Sequence, residues 1–125
     1  MNPFNFSGPA LRALAVGAVL CVAASAAFAH ARPLVRDPAP DAEVTTPSQV
    51  VIQFSEPLEA AFSKIVLNDA AGKPAASSPS SIDANNSKIL HLKLPPLAPG
   101  RYTVHWNAVA VDGHRTQGDY AFTVK

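Results

Sequence analysis

Beyond its first 29 residues this chain of 125 has no cysteine and no methionine; Cys21 and Met1 are the only ones. Residues 30–125 therefore offer no disulfide, no thiolate nucleophile and no sulfur ligand for a metal. Net charge is lacking too. Nine Lys and Arg face nine Asp and Glu over that stretch, so nothing asks for nucleic acid or an anionic membrane as a partner. The six glycines form neither a phosphate-cradling nor a dinucleotide pattern, and there is no G-x-S-x-G elbow. Asp112, His114 and a serine could be drawn as a triad, but no oxyanion loop accompanies them. Glycosidase chemistry needs two carboxylates in a cleft; Glu56 and Glu59 are better read as residues around a proline-terminated strand end.

The one long apolar run is Ala13 to Ala27, and Arg12 is the only charged side chain in the first 29 residues. The run has the length of a signal-peptide core, and Ala27-Phe28-Ala29 has the small-x-small form of a cleavage site. It is too short and too weakly apolar for a permanent span. Leu20 is too bulky to precede a lipid-modified Cys21. The expectation is a signal peptide over 1–29, cut after Ala29, with export to a bacterial periplasm and no membrane anchor in the mature chain. A cut after Ala27 satisfies the same rule and would leave Phe28 first. Residues 30–125 suit one domain with a real core.

Proline and alternation organise that domain. Pro33, Pro38 and Pro40 forbid a helix in the lead-in and fit an edge strand followed by a turn. Asp41 to Pro47 reads as a loop. Val50, Ile52 and Phe54 share one face of a strand over 49–55, which Glu56-Pro57 ends. Leu58 to Phe62 is a short connection with room for a helical turn. A strand over 65–68 closes in turn chemistry at Asn68 to Gly72. Lys73 to Ser87, rich in Ala, Ser and Pro, reads as a long mobile loop with room for one weak strand. Leu90, Leu92 and Leu94, then Tyr102, Val104 and Trp106, then Tyr120, Phe122 and Val124 mark three further strands by strict alternation. Short alternating strands without a helical period predict an all-β, immunoglobulin-like antiparallel Greek-key sandwich. Pro99-Gly100-x-Tyr102 is where such folds place a corner tyrosine.

Four histidines remain. His91 and His105 fall at polar phases of strands and read as solvated surface residues. His114 follows a strand and comes with Asp112, one glycine away; alone, Asp-Gly-His reads most simply as a polar turn. His30 changes that. After cleavage at Ala29 it is the N-terminus, and its α-amine and Nδ1 can close a six-membered chelate ring on one ion. The amine's pKa lies near 8, so a metal displaces its proton at neutral pH. With the imidazole of His114 there are three nitrogens, and Asp112 can add an oxygen. Three N donors and one O donor in a tetragonal arrangement suit Cu(II); zinc is a second fit. Cu(I) prefers sulfur, which is absent.

These residues, in this order, resemble the CopC family of periplasmic copper-binding proteins. The likeness spans His30-Ala31, Leu34, Pro38-Ala39, Phe54-Ser55-Glu56-Pro57 and Phe62-Ser63. It continues through Leu97-x-Pro99-Gly100-x-Tyr102-x-Val104-x-Trp106, Asp112-Gly113-His114, Gly118 and Phe122-x-Val124. The resemblance implies a β-sandwich holding Cu(II) through His30, Asp112 and His114, with Glu56 as a further ligand or a partner of one. It also implies an inner-membrane copper transporter of the CopD type as recipient. Some members carry a Met-rich loop for Cu(I). The corresponding stretch here, roughly 70–86, has neither Met nor His, so a single Cu(II) site is expected. The leading reading is a copper carrier without turnover. A copper monooxygenase-like enzyme with an N-terminal histidine, and a metal-free immunoglobulin-like interaction module, stand as alternatives.

Overall fold

The computed structural model describes residues 30–125; the expected signal peptide and its cut at Ala29 lie outside the described residues. Eight strands follow in order: β1 Pro33–Asp37, β2 Glu43–Val44, β3 Gln49–Phe54, β4 Lys64–Asn68, β5 Ser81–Asp83, β6 Asn86–Lys93, β7 Gly100–Val109 and β8 Arg115–Val124. They form two four-stranded sheets, ordered β1-β3-β6-β5 and β2-β8-β7-β4. The sandwich expected from alternation is present. Its one departure from a purely antiparallel plan is β2, a two-residue strand parallel to β8 inside what reads as a polar loop.

The core follows the period-2 pattern. Val50, Ile52 and Phe54 of β3 and Leu90 and Leu92 of β6 turn inward from one sheet, and all are buried. The register sets Val50 opposite Leu92 and Ile52 opposite Leu90. From the other sheet come Ile65 and Leu67 of β4, Tyr102, Val104 and Trp106 of β7, and Tyr120, Phe122 and Val124 of β8. Phe54 meets Trp106 edge-on across the sandwich, ring centroids 5.2 Å apart. Tyr102 stacks on its cross-strand partner Phe122 at 5.9 Å, and its hydroxyl donates to Ala98 O at 2.6 Å. That is the expected corner tyrosine, four residues on from the turn it fastens.

Two stretches differ from the sequence reading. First, β8 begins at Arg115, well before the apolar alternation at Tyr120. Its early inward positions are Thr116 and Gly118, which carry no hydrophobic signal. Gly118 pairs with Trp106, and a Cβ there would lie 2.6 Å from Trp106 Cζ2, so the indole occupies the space a side chain would need. Second, the long 73–87 segment holds β5 and the start of β6. Its middle runs along the β4 edge, where Ala75 N donates to Leu67 O and Ile65 N to Ser80 Oγ, both at 2.8 Å. An edge that would otherwise expose a row of backbone groups is thereby covered. Leu58 to Phe62 is the short connection expected, and makes a single turn with Phe62 N donating to Glu59 O at 3.2 Å.

β7 and β8 form the longest ladder, ten pairs from Gly100–Val124 to Val109–Arg115. Beyond the last pair, Ala110 N donates to His114 O at 2.9 Å and Gly113 N to Ala110 O at 2.8 Å. Gly113 has φ +89°, a conformation cheap only for glycine. The hairpin tip is thus a hydrogen-bonded turn carrying Asp112 and His114.

Two outcomes are expected from this packing. Gly118→Ala should lower stability by about 1–3 kcal/mol through overpacking against Trp106, read as a fall in the urea midpoint with a shift in tryptophan emission. Tyr120 is buried and its hydroxyl has no hydrogen-bond partner among the described residues; burial pushes its pKa up to about 12 from 10.0. A raised folded-state pKa means this contribution is intact below pH about 10 and is lost as pH climbs towards 12. Tyr120→Phe should therefore be neutral or stabilising by up to about 1 kcal/mol at pH 7. It should also remove that part of the alkaline destabilisation, measured as urea midpoints from pH 8 to 11.5.

Candidate metal centre

Two residues remote in sequence meet at the β7–β8 hairpin end of the sandwich. The rings of His30 and His114 lie with centroids 4.8 Å apart and planes at 72°. Their closeness comes from backbone anchoring on both sides. His114 sits at the hairpin turn, one residue before β8. His30 precedes Ala31, which is buried in the core, so the chain is drawn down onto the sandwich at its first described residues. Ser55 N donates to Arg32 O at 2.9 Å, extending the β1–β3 pairing past Pro33, which has no N–H to give.

Asp112 and His114 form a closed local unit. Asp112 Oδ1 accepts the backbone N–H of His114 at 2.9 Å, and Oδ2 lies 2.8 Å from His114 Nδ1. The hydrogen bond from the His114 side chain, then the one from its backbone N–H, hold the Asp112 carboxyl below its ordinary range. Desolvation opposes these two hydrogen bonds, and the charges of His114 and then His30 add smaller lowering effects. A carboxylate on Nδ1 fixes the imidazole's orientation and favours the tautomer that leaves the Nε2 lone pair free for a metal. Both side chains are about half-exposed, so an ion can enter or leave without opening the fold.

The side chains alone do not close a cage. Among the described residues no group of three or more His, Cys, Asp or Glu side chains is disposed to hold a metal. Asp112 turns both oxygens to His114, and even with that carboxylate beside the two imidazoles a fourth donor has to come from elsewhere. Glu56 is half-buried at the end of β3 and makes no ion pair or side-chain hydrogen bond among the described residues. His91 lies on the outer face of the first sheet, 3.5 Å from Ser81 Oγ. His105 pairs with Asp119 at 2.6 Å on the outer face of the second sheet. That pair was invisible in the sequence because it depends on the β7–β8 register, which sets residue 105 opposite 119. Ser55 and Thr116, whose side chains reach the backbone at residues 30–32, also carried no sequence signal beyond their polar phase.

The CopC domain family model matches residues 34–125. Protein YobA of Escherichia coli K12 is 37% identical over 100 residues, covering 78% of this chain and 81% of that protein. The crystal structure of CopC from Methylosinus trichosporium OB3b superposes with a TM-score of 0.72 at 31% identity, covering 77% of this chain and 94% of that one. PcoC, described as a methionine-rich copper resistance protein from Escherichia coli, gives 0.69 at 33% identity, covering 78% of this chain and all of that one. These likenesses dispose of the monooxygenase-like and metal-free alternatives. With its eight-stranded sandwich and its paired histidines, the chain belongs to the CopC family, whose members are copper-binding carriers and not enzymes.

Proposed function

We propose that this protein is a periplasmic carrier of a single Cu(II) ion in copper homeostasis or resistance. In this reading the ion is held by the His30 α-amine and Nδ1, the His114 Nε2 and the Asp112 carboxylate. The observation that carries the reading is the approach of the His30 and His114 rings to 4.8 Å. With no third imidazole or thiolate beside them among the described residues, a backbone amine at His30 is the donor that completes a three-nitrogen set. The amine and Nδ1 of one residue chelate together, which lowers the entropy cost of gathering separate ligands. Asp112 contributes in two ways. It orients His114 through Nδ1, and its depressed pKa keeps it anionic, so negative charge faces the cation throughout the neutral range.

The absence of sulfur in residues 30–125 supports the oxidised ion over Cu(I). It also distinguishes this chain from methionine-rich PcoC. Half-exposed ligands suit a carrier that hands its cargo on, with an inner-membrane transporter of the CopD type as the recipient. Glu56, next in sequence to Ser55, which bonds the 30–32 segment, is a further candidate to accept a hydrogen bond from a ligand when the ion is bound.

A competitive Cu(II) titration of the chain beginning at His30, beside one with a single extra alanine in front, tests the reading. One-to-one binding should weaken by more than about 100-fold in the extended chain, because the amine–imidazole chelate is lost. Equal affinity in the two would sink it. In the chain beginning at His30, Asp112→Asn should cost about 10–100-fold in affinity, whereas His91→Ala and His105→Ala should leave it unchanged. Binding should also weaken as the pH falls, because protons compete with the metal for its ligands.

A further inference from the structure

Residues 30–32 are gripped from both sheets by two side chains that need not touch the ion. Thr116 of β8 donates its hydroxyl to Ala31 O at 2.8 Å. Ser55, at the end of β3, accepts the backbone N–H of Arg32 at 3.1 Å and places its own hydroxyl 3.5 Å from His30 O. Ala31 between them is 1% exposed. Thr116 is the more telling of the two. It lies two residues after His114, at the start of the strand that leaves that turn, and bonds the carbonyl one residue after His30. A single hydroxyl therefore ties the His30 side of the centre to the strand that directly follows the other imidazole.

The local packing makes this reach possible. Thr116 points to the inner face of β8, where a hydrophobic residue would be the ordinary choice, and its cross-strand partner is Ala108, fully buried. The small side chain leaves the end of the sandwich open for Ala31 to enter. Ala31 carries no strand pairing among the described residues, and its carbonyl accepts the Thr116 hydroxyl instead.

We propose that Thr116, assisted by Ser55, is a positioning residue for copper: it holds the His30 amine and ring in register with His114, so that the chelate is assembled before the ion arrives. The inference rests on the reading of His30 as an N-terminal ligand. Pre-organisation raises affinity by removing the ordering cost from the binding step. Partners that orient metal ligands from outside the coordination sphere are typically worth 10–100-fold in affinity.

The test compares Cu(II) affinity and electron paramagnetic resonance spectra of chains beginning at His30: wild type, Thr116→Val, Thr116→Ser and Ser55→Ala. Each is paired with its form carrying one extra N-terminal alanine, and thermal melts check folding. Thr116→Val keeps the shape and loses the donor, so its affinity should fall about 10-fold with a shifted copper spectrum. Thr116→Ser should restore both, and Ser55→Ala should give a smaller loss. In the alanine-extended background Thr116→Val should change nothing, because the group it positions is no longer a ligand; a general loss of stability would weaken both backgrounds alike. Wild-type affinity and spectrum in Thr116→Val, with the extension still abolishing tight binding in the wild type, would overturn the positioning role alone. Equal binding by the wild type with and without the extension would overturn the N-terminal reading and this inference with it. Should Thr116→Val fail to fold, Ser55→Ala and Thr116→Ser decide by the same criteria.

Discussion

The ten-pair ladder between β7 and β8 is the constraint on which the rest of this molecule depends. Its inward residues supply much of one half of the core. Its outward register creates the His105–Asp119 pair, and its closed end is the turn that presents Asp112 and His114. Backbone hydrogen bonds are individually modest in net worth, but a ladder this long fixes register cooperatively. A slip of β8 by one residue would send Tyr120 and Phe122 to the solvent face. The contact between Trp106 and Gly118 guards that register sterically, since only the residue without a Cβ fits under the indole.

From that ladder the metal centre inherits both rigidity and openness. Asp112 and His114 are set by a turn whose hydrogen bonds are internal to the hairpin, while His30 is set by anchors from two different sheets. The proposed ligands nonetheless lie at the surface, with the Asp112–His114 pair about half in water. A deeply buried site would hold copper more tightly but would demand desolvation and a conformational opening for each exchange. A surface site assembled on a stiff frame keeps affinity through chelation and leaves the ion accessible. Such a balance fits a family of carriers better than one of catalysts.

Much of the fold could be read from alternation, because wherever one face of a strand meets the core the apolar residues must recur at every second position. The strands at 49–54, 64–68 and 100–109 announce themselves in that way. The stretches that did not are those whose inward positions serve something other than burial. Thr116 is spent on a hydrogen bond to Ala31, Gly118 makes room for Trp106, and Glu43–Val44 is too short to carry a period. Likewise the segment 75–80 gains its place from the β4 edge it covers, a tertiary cause with no local signature. In the site, His114 and Asp112 were legible as a pair because the spacing of one residue is local. Ser55 and Thr116 were not, since their role is defined only by which backbone lies opposite them.

The donor chemistry was decided by the sequence alone. Nitrogen and oxygen ligands without sulfur, balanced charge and one domain's worth of alternating strands are properties of composition and order, and no folding could alter them. Only the tertiary structure decided that His30, rather than His91 or His105, stands beside His114. All four histidines have the same ligand chemistry. What separates them is sheet pairing and the two side chains that fasten residues 30–32, because the distance between remote positions is set by how the strands cross and pack and not by anything local to either residue.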